Sequence, residues 1–269
     1  MKFIFKLLLI CLDKLEKTNY CTFRNIINLI CKREYKLSYD KFNKAYKKTY
    51  KNGQFIYYSE KKRAVRIHSP YKEMINNLIY SYCLENITFN RGDVIIDCGA
   101  NIGELGLYFS QQNFDIQYIG FEPSIKEYLA CKINHPNSEI LNIGLWNEKK
   151  ELTFYVKSDT ADSSLFEIED FNNIETIKVE RLDDVINQKQ IKLIKLLKID
   201  AEGAEPEILI GANKLLRKIK YISVDVGPER GLLQENTANE TKEILFNNNF
   251  ELINQNLERK SILFENKNI

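Results

Sequence analysis

Apolar residues in this chain follow two patterns: short continuous runs, and longer stretches in which they recur every three or four positions. From Asp93 onward the two patterns alternate. The runs in "DVIIDCGA" (93–100), "IQYIGFEP" (116–123), "SEILNIGLW" (138–146), "IKLLKID" (194–200) and "KYISVDV" (220–226) have strand length. Between and after them "NIGELGLYFSQQ" (101–112), "SIKEYLACKINH" (124–135), "DDVINQ" (183–188), "PEILIGANKLL" (206–216) and "TANETKEILFNNN" (237–249) have helical spacing. Thr237 with Glu240 has the spacing of a capping box, a local reason for the last helix to start there.

Alternating strands and helices predict an α/β domain with a largely parallel sheet covered on both faces. Right-handed crossovers place the strand C-termini along one edge, where ligands bind. "KKELTFYVKS" (149–158) alternates as an added antiparallel strand, and "TIKVERL" (176–182) is strand-like. "FELINQN" (250–256) and "KSILFEN" (260–266), joined by a short link, predict an antiparallel hairpin at the sheet edge.

The first 70 residues read as a separate extension, and residues 71–269 as the main domain, beginning with a helix in "YKEMINNLIYSYCLE" (71–85). Residues 1 to about 50 predict basic helix, and "GQFIYYSEKKRAVRIHS" (53–69) predicts a hairpin around a charged turn. "CKREYKLSYDKFNKAYKKTYKNG" interleaves Lys and Arg with Tyr35, Tyr39, Tyr46 and Tyr50. That mixture suits either an anionic partner or a solvated helix face whose tyrosines pack inward. The apolar start, "MKFIFKLLLICLDKLEK", is interrupted by Lys6 and falls short of the roughly 18 apolar residues of a membrane span. It predicts an amphipathic helix, packed on the body or lying on a membrane surface.

Composition narrows the classes. The chain has 269 residues, 44% of them hydrophobic, enough for a sizeable core, and its net charge of +2 favours no particular partner. No nucleic-acid partner is expected, since no N-P-P-[YF]-type loop follows the fourth strand. Six cysteines without a C-x-x-C pair read as reduced thiols of a cytoplasmic protein, peripheral at most to the inner membrane face. His68 and His135, the only histidines, stand at no metal-ligand spacing from them, so no metal site is expected from these residues.

Candidate chemistry gathers at the strand ends. Asp97 closes the first central strand, and Gly99, Asn101 and Gly103 form the turn into the next helix. No Gly-x-Gly is present, and a carboxylate before the first glycine repels a pyrophosphate, so a nicotinamide dinucleotide is the weaker alternative, with a non-catalytic nucleotide-binding module of the same fold as another. Asp97 suits a cationic group such as an α-amino group. Glu122 lies at the end of the second strand, about 20 residues further on, where an acid takes ribose hydroxyls. Ribose plus amino acid without pyrophosphate describes S-adenosylmethionine. Asn142 and Gly144 fall where the adenine should sit; Trp146 is a candidate for that pocket and equally for the core. Asp200, Glu202 and Glu205, in "LLKIDAEGAEPEILIGA" (196–212), bring three carboxylates to one strand end, a costly arrangement without a cation, hydroxyls or a proton to hold. A divalent ion is compatible with them but has no other support. Asp162, Ser163, Ser164, Asp225, Glu229 and Arg230 are secondary candidates for an acceptor pocket.

Together "DCGANIG", "GFEPS", "VERLDDVI" and "LKIDAEGAEPEILIGA" resemble the FkbM family of S-adenosylmethionine-dependent methyltransferases, over about residues 90 to 225. The acid-rich "KIDAEGAE" block is the most specific part. The resemblance implies a Rossmann-like class I methyltransferase fold with a mostly parallel seven-stranded sheet. It implies O-methylation, often of a sugar hydroxyl in a surface polysaccharide, glycolipid or glycan precursor. Asp97, Gly99, Asn101, Gly103, Glu122, Asn142 and Gly144 would then serve the cofactor, and Asp200, Glu202 and Glu205 the catalysis. Asn101 fits the family's usual "GANIG"; Pro206 departs from it and is tolerated in a first helical turn.

Overall fold

The computed structural model describes residues 12, 14–112, 115–157, 159–160 and 162–269. The expected amphipathic helix at the start lies largely outside them. The chain divides into two compact units, residues 1–74 and 75–269.

The first unit holds helix α1 (Lys17–Ile30), strands β1 (Tyr35–Asp40), β2 (Ala45–Tyr50) and β3 (Phe55–Tyr58), and helix α2 (Lys61–Arg66). The strands form an antiparallel sheet in the order β1-β2-β3. The sequence reading of helix up to about residue 50 is therefore corrected. The Lys/Tyr interleaving has period two, with Tyr35 and Leu37 buried and Lys36 and Ser38 exposed between them, which is a strand pattern. The hairpin exists, but as β1–β2, and the stretch 53–69 supplies one strand and a helix instead. Lys48, on β2, is fully buried: its ammonium donates to the Ile67 carbonyl (2.5 Å) and lies 4.2 Å above the Tyr35 ring. Tyr35 also meets His68 Nδ1 through its hydroxyl at 2.9 Å, giving that histidine a structural place.

Helix α3 (Tyr71–Ser81) spans the boundary between the units. In the second unit follow β4 (Val94–Cys98), α4 (Glu104–Gln111), β5 (Gln117–Phe121), α5 (Ile125–Asn134), β6 (Glu139–Leu141), β7 (Gly144–Leu145), β8 (Lys150–Val156), β9 (Asn173–Glu180), α6 (Leu182–Asn187), β10 (Ile194–Ile199), α7 (Glu205–Gly211), β11 (Ile219–Asp225), β12 (Pro228–Arg230), β13 (Glu235–Asn236), α8 (Ala238–Asn247), β14 (Phe250–Asn256) and β15 (Ser261–Asn266). Seven strands form the main sheet in the order β14-β15-β11-β10-β4-β5-β6. Neighbours from β11 to β6 pair in parallel, while β15 runs antiparallel to both β11 and β14. The mostly parallel sheet with a C-terminal hairpin is thus as the sequence predicts.

Pleating sends alternate residues of β4 to opposite faces. Ile95 belongs to the core cluster that includes Leu105, Phe109 and Cys131, while Ile96 belongs to the one that includes Leu182, Ile208 and Leu245. Helices accordingly cover both faces, and the strand C-termini meet at one edge. Two local differences matter. The run 138–146 is not one strand: β6 stays in the main sheet, and β7 leaves to pair with β9 in a small sheet with β8. The capping box does not form; Thr237 Oγ1 donates instead to Glu205 Oε2 at 2.9 Å.

Candidate active site

The turn after β4 is built from left-handed backbone: Gly99 (φ 71°), Asn101 (φ 53°) and Gly103 (φ 85°). A Cβ on Gly99 would stand 1.9 Å from the Asp200 carbonyl oxygen, so this glycine lets the ends of β4 and β10 meet. Gly103 has a different reason. A Cβ there would meet the buried His135 ring at 2.4 Å, and that ring's Nε2 lies 2.7 Å from the Gly103 carbonyl. This glycine, a cofactor candidate from the sequence, is thus tied to the helix layer.

Glu122 crosses back over the turn. Its Oε2 accepts from the Asn101 N–H (2.7 Å) and its Oε1 from the Ser124 N–H (2.8 Å). Burial, and secondarily Glu127, push its carboxyl up to about 8. Each oxygen keeps one further hydrogen-bonding position, which fits two vicinal hydroxyls. Asn142 spends its amide on the Glu122 and Pro123 carbonyls (2.9 and 2.8 Å), fixing the end of β5. Gly144, expected near adenine, lies in β7 against Val179 and Ile177, with no room for a Cβ. Trp146 packs on the core and 6.0 Å from the Phe166 ring.

Asp97 is buried and already has a cation. Its Oδ1 lies 3.0 Å from Lys198 Nζ, an ion pair off the hydrogen-bond direction, and its Oδ2 accepts from the Tyr118 hydroxyl (2.5 Å). Lys198 stands opposite Asp97 in register and also donates to the Cys98 and Gly99 carbonyls (3.3 and 2.8 Å). In this structure the cation that faces Asp97 is a lysine of the next strand. A lysine inside the apolar run "IKLLKI" was the signal for it.

At the ends of β10 and β11 a second group assembles. Asp200 Oδ2 accepts from the Tyr82 hydroxyl (2.5 Å) and from Arg259 (2.9 Å), with Lys198 at 4.0 Å; Oδ1 has no hydrogen-bond partner. Burial alone would raise this carboxyl, but Lys198 and Arg259 outweigh it and hold it below its ordinary value. Arg259 also lies 2.9 Å from Asp225 Oδ2, whose other oxygen accepts from the Gly227 N–H (3.0 Å). Burial and the Asp200 charge push Asp225 to about 6; burial and Asp225 push Glu229 to about 8. Glu202, in left-handed backbone (φ 51°), is driven well up by burial and by Asp200, Glu229 and Asp162. Lys198 and Arg259 thus favour the charged form of Asp200, while burial and the neighbouring acids favour the neutral form of Glu202. Asp200, Asp225 and Glu229 could offer a metal ion ligand atoms within 4.8 Å of one another, but the Arg259 guanidinium already supplies positive charge there.

Glu205 departs from the catalytic expectation. It is buried, its Oε1 accepts from the Ala201 and Gly203 N–H groups (3.1 Å each), and its Oε2 takes the Thr237 hydroxyl. It clamps the loop that carries Glu202. Ser164 donates to the Glu202 carbonyl (2.7 Å), and Ser163 accepts from the Lys157 N–H (2.8 Å), so both hydroxyls have structural tasks. Arg230 forms a bidentate pair with Glu207 (2.6 and 3.2 Å). Tyr82 and Arg259 carry no sequence signal: one follows a helix, the other sits in an ordinary charged hairpin turn.

Comparison with known proteins identifies the family. The model of the methyltransferase FkbM domain matches residues 97–252. The AMB antimetabolite synthetase AmbE of Pseudomonas aeruginosa is 26% identical over 224 residues, 68% of this chain but 10% of that protein. The 31-O-demethyl-FK506 methyltransferase FkbM of Streptomyces tacrolimicus is 24% identical, covering 58% of this chain and 74% of its own. The 2-O-methyltransferase NoeI of Sinorhizobium fredii is 21% identical, covering 48% and 61%. The chain therefore spans between a tenth and three quarters of these relatives' lengths.

Proposed function

Because the chain belongs to the FkbM methyltransferase family, we propose that it is an S-adenosylmethionine-dependent O-methyltransferase acting on a sugar hydroxyl of a glycan or glycolipid precursor. Transfer to oxygen is supported by two relatives whose names specify it, at a 31-O and a 2-O position. The observation that carries the reading is geometric: at the end of β10 Asp200 keeps a solvent-shielded Oδ1 without a hydrogen-bond partner, while its Oδ2 is held by Tyr82 and Arg259, and Glu202 follows in the same loop.

Bound S-adenosylmethionine supplies an electrophilic methyl group on a sulfonium. Glu122 would hold its ribose hydroxyls through the remaining hydrogen-bonding positions of the carboxyl, and Asn142 keeps that strand end in place. The Asp97–Lys198 pair fixes the turn from beneath, through the Cys98 and Gly99 carbonyls. Asp200 Oδ1 accepts the acceptor hydroxyl's proton as negative charge develops on that oxygen. Glu202 hydrogen-bonds a neighbouring hydroxyl and so orients the sugar, and alignment of this kind can supply much of the rate. Glu205 acts as a positioning residue through the loop. A glycolipid acceptor resides in a bilayer, so the same reading puts the protein in the cytoplasm, peripheral to the inner face of the membrane.

Calorimetric titration of S-adenosylhomocysteine, beside Glu122→Ala and an NADH control, tests this reading. Micromolar binding that weakens in the variant supports it. Binding of NADH in place of S-adenosylhomocysteine overturns it.

A further inference from the structure

Helix α1 is apolar on two sides. One side packs inward through Tyr20, Cys21 and Asn28, and Asn25 ties it to β1 by exchanging hydrogen bonds with the Leu37 backbone (2.8 Å each). The opposite side carries Phe23, Ile26, Leu29 and Ile30, all exposed, Leu29 at 80% and Ile30 at 72%. Phe23, Ile26 and Ile30 fall at positions i, i+3 and i+7, a single stripe along the helix. An ordinary surface helix is polar on that side. In the same unit Phe42, in the β1–β2 turn, is 93% exposed.

Charge decides among the occupants of such a stripe. Residues 14–51 contain eleven Lys and Arg against three acids, Glu16, Glu34 and Asp40. All three acids are engaged within the unit: Glu16 with Lys61, Glu34 with Lys51, and Asp40 with the Phe42 and Asn43 backbone. Lys14, Lys17, Lys32, Arg33, Lys36, Lys41, Lys44 and Lys51 are exposed. A second copy of this unit would bring like charge against like. An anionic bilayer surface complements both features, because apolar side chains enter the acyl boundary while lysines and arginines meet the headgroups.

We propose that the exposed stripe of α1, together with the exposed basic residues of the same unit, docks the protein on an anionic lipid surface. This rests on the peripheral-placement part of the functional reading and not on methyl transfer. The surface lies in the first unit and needs no residue of the candidate active site.

The test is co-sedimentation of the full chain with phosphatidylcholine vesicles, with and without about 30% phosphatidylglycerol. The wild type should partition onto the anionic vesicles and hardly onto the neutral ones. The triple variant Phe23→Ser, Ile26→Ser, Ile30→Ser alters only exposed side chains and should bind roughly tenfold or more weakly. Lys32→Glu with Arg33→Glu should weaken binding to anionic vesicles alone. Circular dichroism and S-adenosylhomocysteine titration on the same samples report folding and the cofactor site independently. Absence of wild-type binding to anionic vesicles overturns the proposal. So does undiminished binding by the folded triple variant, which would move the contact to another segment such as residues 1–11. Concentration-dependent self-association abolished by the triple variant would make a second copy the occupant and overturn it equally. Lost S-adenosylhomocysteine binding with vesicle binding intact would count against methyl transfer only.

Discussion

Replacing Glu122 with Gln should stabilise the ligand-free protein above neutral pH while weakening its cofactor site. The wild-type carboxyl titrates at about 8 in the folded chain against an ordinary value of 4.5. Its folded value is raised, so the folded state holds the proton more tightly than the unfolded state. Stability from this group is therefore full below pH 4.5 and is lost as pH rises towards 8. A displacement of roughly 3.5 pH units at ~1.4 kcal/mol each corresponds to about 5 kcal/mol lost across that window. Glutamine has no proton to lose, but its amide NH2 must face the Asn101 or Ser124 N–H, at a cost of about 1–3 kcal/mol. The net expectation for Glu122→Gln at pH 8 is roughly 2–4 kcal/mol of stabilisation, and at pH 5 a destabilisation of about 1–3 kcal/mol. Urea melts of both proteins at pH 5, 6.5 and 8 measure the difference directly. The same variant replaces one of the carboxyl oxygens that face the ribose hydroxyls with an NH2 group, so S-adenosylhomocysteine should bind about 10- to 100-fold more weakly. A variant less stable than wild type at pH 8 would refute the burial argument. Unchanged S-adenosylhomocysteine affinity would refute the ribose assignment.

Arg259→Ala leaves Asp225 fully buried with one backbone donor, and Asp200 with Tyr82 and a distant Lys198; because the arginine is 41% exposed, a loss of about 1–3 kcal/mol is expected in a chemical melt. An unchanged midpoint would mean the two ion pairs contribute nothing. Gly99→Ala puts a methyl 1.9 Å from the Asp200 carbonyl in left-handed backbone, and should yield no folded protein, or one melting far below wild type. Glu202→Gln should keep stability and S-adenosylhomocysteine affinity but lower turnover once an acceptor is found, whereas Glu205→Gln should destabilise the loop by about 1–2 kcal/mol, read by thermal melting.

The alternation of apolar runs and helical periods from Asp93 onward determined the parallel sheet, its two helical layers and the C-terminal hairpin. Burial on both faces makes a central strand mostly apolar, so β4, β10 and β11 are legible without a structure even though each carries buried polar residues such as Asp97, Lys198 and Asp225. The order of acids at strand ends likewise located Asp97, Glu122 and Asp200, because crossovers of fixed hand bring those ends to one edge. The tyrosine-rich extension misled because lysine reads as solvent, and only the aromatic cage around Lys48 shows why one lysine can alternate inward. Partnership was decided by the tertiary structure alone. Register set Lys198 beside Asp97, the loop's left-handed residues turned Glu205 inward to Thr237, and the hairpin turn delivered Arg259 to acids 34 and 59 positions away in the chain. Local spacing fixes which edge a carboxylate occupies; its protonation depends on neighbours contributed by distant segments, and those come together only in the fold.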